Sequence, residues 1–144
     1  MKYFLSTILG LIAGFVSISL LEYVFNIIFP LPTGIDVKSV DSMIENMDRI
    51  PMVNMILVIV SYALSSLIAG FISVKIKTLK PIGPVLTIGV LFTAACFINF
   101  NLIPHPLWMV LICSITFVPM TWLGGQLGLY NNKGYNSGYS VSVF

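Results

Sequence analysis

A chain of 144 residues with 58% hydrophobic side chains, 8% charged ones and a mean hydropathy of +1.01 lies far from the roughly 45–50% apolar and about 25% charged make-up of soluble domains. That excludes a water-soluble globule and leaves room for about four bilayer-crossing helices of ~20 residues in one domain. The formal net charge of +2 excludes the basic footprint of a nucleic-acid binder, so the first partner to expect is the lipid bilayer.

The first predicted span covers residues 3–29 and is stopped by Pro30-Leu31-Pro32-Thr33-Gly34, since proline lacks a donor and turns its predecessor away from helix. Its apolar run is about twice the 7–15 residues of a signal-peptide core and no A-x-A site follows, so it is expected to stay attached as an anchor. Ser6, Gly10 and Gly14 recur every four residues and form a stripe for close helix approach. Glu22 and Asn26 lie one turn apart in the far half. At 1.5 Å per residue the stretch is roughly 40 Å long, against ~30 Å of hydrocarbon, and this slack leaves the depth of Glu22 open.

Residues 35–50 hold half of the charged residues: Asp36, Lys38, Asp41, Glu45, Asp48 and Arg49. On a helical wheel Val40, Met43, Ile44, Met47 and Ile50 fall within an arc of about 120°, with Asp41, Glu45 and Asp48 beside them. An amphipathic surface helix over about 37–50 is expected, capped by Asp36 or by a Ser42-x-x-Glu45 box and ended by Pro51. It is too charged to span and should lie on the membrane surface or over the bundle. Together with Trp108, the acids Asp36, Asp41, Glu45 and Asp48 make a candidate outer interaction surface.

The second span, about 52–74, repeats Ser61, Ser65 and Ala69, and also Ser66 and Gly70, at four-residue spacing. This small face is expected to pack on the first span. Lys75, Lys77 and Lys80 follow without an acid among them. A third span covers about 82–103, with Asn99 and Asn101 near its far end. Pro104-His105-Pro106 then permits only a tight turn, and Trp108 sits where an interfacial aromatic belongs. The fourth span, about 107–129, contains Pro119, where a kink is expected, and closes on Gly124-Gly125-Gln126-Leu127-Gly128. Residues 130–144, rich in Asn, Gly, Ser and Tyr, read as a flexible cytoplasmic tail. The expected fold is therefore an all-α membrane protein, a four-helix bundle with a surface helix between spans one and two.

Cys96 and Cys113 flank the Pro-His-Pro turn at similar distances, so an antiparallel hairpin would bring them to similar depth. They form no C-x-x-C or zinc pattern and read as small packing residues; no metal or cofactor is expected. Lys2, Lys75, Lys77, Lys80 and Lys133 share one side of a four-span topology, which by the positive-inside rule puts both termini in the cytoplasm of a multi-pass protein of the cell membrane. Drawn this way, Glu22, Asn26, Asn54, Asn99, Asn101 and His105 fall in the same outer half. An ionisable group in a span is a functional candidate, because stranding it in lipid costs several kcal/mol. Glu22, Asn26, Asn99, Asn101 and His105 are accordingly the candidate intramembrane site. His105, between two prolines, reads first as a cap of the turn.

Pro30-Leu31-Pro32-x-Gly34-x-Asp36, Pro51 at the start of the second span and Pro104-His105-Pro106-x-Trp108 resemble the loop motifs of an uncharacterised family of small four-span bacterial membrane proteins. The resemblance covers the chain to about Leu129 and implies that the two outer loops belong to one design; it implies no activity. Small multidrug transporters are also four-span proteins with a membrane Glu in the first helix. This chain lacks their aromatic pattern around that residue and has a long first loop, so their mechanism is not carried over.

No G-x-S-x-G, H-E-x-x-H, P-loop or Rossmann pattern occurs, and an enzyme is not expected. The reading that follows is a non-enzymatic accessory or structural subunit of a membrane assembly. Its contacts to a protein partner or a second copy would run through small-residue faces (Gly10, Gly14, Ser61, Ser65, Gly124, Gly128). The alternative is an oligomeric carrier or channel for protons or a small solute that uses Glu22.

Overall fold

A computed structural model describes residues 1–36, 39–76 and 81–133; positions 37 and 38 of the predicted surface helix, Lys77, Lys80 and the tail from residue 134 lie outside them. Long helices form over Lys2–Ile28 (α1), Met52–Ser73 (α3), Ile82–Leu102 (α4) and Leu107–Lys133 (α5), and a short one over Val40–Glu45 (α2). Among the described residues four helices are long and apolar enough to cross a membrane. These elements agree with the predicted spans to within a residue at most ends, because the same prolines that mark the sequence stop or start each helix. The exception is the end of α5, which runs on through Tyr130–Lys133 where a tail was expected.

Going round the bundle the order is α1, α3, α5, α4. Close contacts set the directions. Ser6 of α1 donates to the Ser73 carbonyl at the end of α3 (2.6 Å), so these two run antiparallel. Gly10 and Gly14 meet Ile88 and Phe92 of α4 in rising order, so α1 and α4 run parallel. Leu67, Gly70 and Phe71 of α3 face Gly124, Thr121 and Gly128 of α5, again parallel, and Gly89 against Val118 closes the antiparallel α4–α5 hairpin. This is the alternation a four-pass chain requires.

Each seam is written in steps of four residues. Gly10 and Gly14 admit Ala69 of α3, as the small-residue stripes of α1 and α3 predicted. The tightest approach is between α3 and α5. There Gly70 faces the Thr121 carbonyl and Gly124 the Leu67 carbonyl so closely that neither has room for a Cβ. Ile88, Phe92 and Cys96 on α4 and Met109, Cys113 and Phe117 on α5 form the core with Ala69. Phe15, Phe92, Phe117 and Tyr62 stack in sequence at centroid separations of 5.3, 5.8 and 5.5 Å, an aromatic chain that touches all four long helices.

Apart from Ser6, which bonds across to α3, hydroxyls in the seams are satisfied locally: Ser61, Ser66 and Thr121 donate to carbonyls one turn back, and Ser73 to that of Gly70. Such back-bonding lets a polar side chain sit in an apolar seam. Ser65 is the exception, buried with no partner for its hydroxyl. The small residues proposed for contacts between chains, Gly10, Gly14, Ser61, Ser65, Gly124 and Gly128, are all buried among the chain's own helices.

The surface helix is shorter than its periodicity predicts, and its cap is a different residue. Ser39 caps α2, accepting from the Ser42 amide (3.2 Å), while the Ser42 hydroxyl accepts from the Asp36 amide (2.9 Å). At Asn46, the C-cap, the side-chain amide and the backbone amide both donate to the Ser42 carbonyl (2.9 and 3.2 Å). A single 3-10 turn over Met47–Arg49 follows. Gly34 turns the chain ahead of it at φ 93°, a conformation that favours glycine.

Candidate functional site

Asn54 Nδ2 donates to the Phe29 carbonyl (2.8 Å), which pins the end of α1 level with the start of α3. At the other end the Tyr3 hydroxyl pairs with Thr87 Oγ1 (2.6 Å) near the start of α4. With both ends of α1 level with its neighbours, the extra length does not lift Glu22 out of the bundle. It lies six residues before Ile28, where α1 ends, or ~9 Å along the axis.

Glu22 is half-buried. No hydrogen bond from a described residue reaches its carboxyl. Ser19, Tyr23 and Asn26 stand beside it at spacings of three, one and four residues, all exposed. Residues three and four apart share a helix face, so these four form a polar stripe on the side of α1 turned from the core. A shallow groove lined by Phe15, Val16, Ser19, Leu20 and Tyr23 runs into the same stripe. Around it the surface is apolar, with Leu20, Ile27 and Ile28 each about 60% exposed.

The other predicted site residues are placed as follows. His105 Nδ1 lies 2.7 Å from the Ile103 carbonyl, and its ring packs edge-on against Phe100 at 4.9 Å, so the imidazole ties the α4–α5 turn together. Asn99 supplies the carbonyl that accepts from Ile103 N (3.0 Å) at the end of α4. Exposed Asn101 donates one turn back to the Phe97 carbonyl (2.7 Å). Among the described residues, no hydrogen bond joins Glu22 or Asn26 to Asn99, Asn101 or His105. On the loop, Asp36, Asp41, Glu45 and Asp48 are exposed, whereas Trp108 is half-buried and packs against the core.

Ser19 and Tyr23 were missed by sequence reasoning. Their signal was the spacing around Glu22, hidden because serine and tyrosine are ordinary residues of membrane helices. Cys96 and Cys113 are both buried and free and belong to the same core cluster. Among the described residues, no group of three or more His, Cys, Asp or Glu is placed to hold a metal ion. No protein-family model, curated protein or solved structure matches the chain.

Proposed function

We propose that this protein is a non-enzymatic accessory subunit of a membrane assembly, docked through α1 onto a transmembrane helix of another chain that offers hydrogen-bond donors to Glu22. The observation that carries this is the polar stripe Ser19, Glu22, Tyr23, Asn26 on the outward side of α1. A carboxyl in hydrocarbon costs several kcal/mol unless it meets a partner, and interhelical hydrogen bonds in membranes contribute about 0.6–2 kcal/mol each. The small-residue faces are already filled within the chain, so the stripe is the surface that remains. The lysine tally supports cytoplasmic termini, with Glu22 in the outer half of the membrane and the acids of the first loop outside.

The test is affinity purification of the tagged protein from native membranes in mild detergent, followed by mass spectrometry. The intact chain should bring down a larger membrane protein, Glu22→Leu should lose it, and Glu22→Gln should keep a part. Recovery of the partner undiminished by Glu22→Leu, or isolation of the wild type only as a partner-free monomer, would sink the proposal.

A carrier for protons or a small solute is the second reading, supported by the half-buried carboxyl of Glu22 within a membrane-length helix. It predicts uptake into liposomes that Glu22→Gln abolishes while the fold persists.

A further inference from the structure

α1 and α4 run parallel but do not stay together. Their contacts pass from the Tyr3–Thr87 hydrogen bond through Gly10 against Ile88 to Gly14 and Phe15 against Phe92. Beyond Phe92 the face of α4 that meets α1 comes into the open. Ile88, Ala95 and Leu102 follow one another at intervals of about two turns and so share that face; Ile88 is 0% exposed, Ala95 is exposed and Leu102 is 57% exposed. The opposite wall is placed by the same spacing. Glu22 comes two turns after Phe15, whose ring meets Phe92 edge-on at 5.3 Å, and it therefore takes the edge of the polar stripe nearest α4. Asn99 comes two turns after Phe92 on the facing side. From the Gly14–Phe92 contact, Glu22 lies ~12 Å and Asn99 ~10 Å along parallel axes, so the two are level. Neither the carboxyl of Glu22 nor the side chain of Asn99 makes a hydrogen bond with a described residue.

We propose that the wedge between these halves of α1 and α4, open sideways to the bilayer, binds an aminophospholipid. One acyl chain runs between the helices to the apex at Gly14 and Phe92, and the head-group ammonium donates to the carboxylate of Glu22 and the amide oxygen of Asn99. The walls select this occupant. Phe15, Ala95 and Leu102 offer apolar surface, and the ~12 Å from Glu22 to the apex is close to the ~15 Å of hydrocarbon in one leaflet. Two polar groups at one level call for a head group with hydrogen-bond donors, since such groups are costly to leave unpaired away from water. Charge then favours an amine. The loop at this end of the bundle carries Asp41, Glu45 and Asp48 against Arg49, whose guanidinium is bonded to Asn46 Oδ1 and the Thr33 carbonyl, so an anionic head group is repelled and a cationic one attracted. A carboxylate has two oxygens and about four acceptor sites, enough for a lipid amine and a docked helix together; the lipid site goes beyond docking through α1 and does not depend on it.

The test uses the full-length protein, stripped of lipid in mild detergent, and native mass spectrometry with phosphatidylethanolamine, phosphatidylcholine and phosphatidylglycerol of identical acyl chains. Phosphatidylcholine keeps the positive charge but has no N–H donor. Phosphatidylethanolamine should bind about 10-fold more tightly than phosphatidylcholine, the effect of one hydrogen bond to a charged group, and phosphatidylglycerol should bind most weakly. Glu22→Gln and Asn99→Leu should each remove most of that preference, and Ala95→Phe, which fills the wedge from an exposed position, should displace the lipid; unchanged SDS midpoints would show that the variants fold. Asn99→Leu and Ala95→Phe leave Ser19, Glu22, Tyr23 and Asn26 in place, so a partner chain should still be recovered with them, which separates failure of the lipid site from failure of docking. Equal binding of phosphatidylethanolamine and phosphatidylcholine by the intact chain would overturn the proposal. So would a preference that survives both Asn99→Leu and Ala95→Phe, or tightest binding of phosphatidylglycerol.

Discussion

Gly124→Ala should break the seam that holds this bundle together. The added Cβ would overlap the Leu67 carbonyl oxygen and lie 2.7 Å from its carbon and 2.9 Å from its Cα, where carbon atoms prefer about 3.5–4.0 Å. These are backbone atoms of a regular helix and cannot swing aside, so α3 and α5 must part by roughly 1 Å. Overpacking of this kind costs about 1–3 kcal/mol, and the better helix propensity of alanine returns at most ~1 kcal/mol. A net loss of about 1–2 kcal/mol is expected, read as an earlier midpoint on titrating the micellar protein with SDS and followed by maleimide labelling of Cys113, which is buried in the fold. Gly70→Ala meets the Thr121 carbonyl in the same way. The double variant should lose less than the sum, because helices already parted accommodate the second methyl. Gly83→Ala is the control: its Cβ meets the Tyr3 ring edge at 2.7 Å, a side chain that can yield at the cost of its exposed bond to Thr87, so its midpoint should move less than that of Gly124→Ala. A Gly124→Ala midpoint equal to wild type, or a Gly83→Ala loss larger than it, would refute the assignment of α3 and α5 as the closest pair.

His105→Ala should lose the bond to the Ile103 carbonyl and the contact with Phe100, about 1–2 kcal/mol together; the fluorescence of neighbouring Trp108 during denaturation would check this. Asn54→Ala removes the bond that pins the end of α1, a loss of about 0.5–1.5 kcal/mol, and hydrogen exchange over residues 24–28 should quicken if the pin is real. Ser39→Ala removes the cap of α2, worth about 1 kcal/mol, with faster exchange confined to residues 40–45 and no change in the SDS midpoint of the bundle. For topology, single cysteines at Lys75 and Thr33 in a background without Cys96 and Cys113 should be labelled by an impermeant reagent from opposite faces of sealed vesicles; labelling of both from one face would overturn the four-pass order.

The helices were legible because the bilayer imposes a simple rule: every backbone donor must be satisfied within the span, so long apolar runs become helices and prolines mark their limits. The stripes Ser6, Gly10, Gly14 and Ser61, Ser65, Ala69 even foretold which two would meet. The surface helix was overestimated, since a wheel registers side-chain hydrophobicity and not where the backbone leaves helical geometry, as it does at Asn46. The α4 and α5 core stripes, Ile88-Phe92-Cys96 and Met109-Cys113-Phe117, passed unnoticed because nearly every residue of those spans is apolar and no periodicity stands out. The candidate site was legible as residues sharing one end of the bundle, but not as bonds: Asn101 and His105 turn to local carbonyls, while Glu22 keeps the company of Ser19, Tyr23 and Asn26.

Composition and the placing of prolines determined by themselves that this chain forms four membrane-length helices with one charged connection, because transfer free energy and backbone hydrogen bonding act residue by residue. Which faces close on one another was decided only by the tertiary structure. In a chain apolar on all sides, hydrophobicity cannot choose an interface; the choice falls to shape, to whether a glycine lets one backbone touch another. That packing turned the small stripes inward, left Glu22 on the outward side of α1 and put Cys96 and Cys113 into one core cluster.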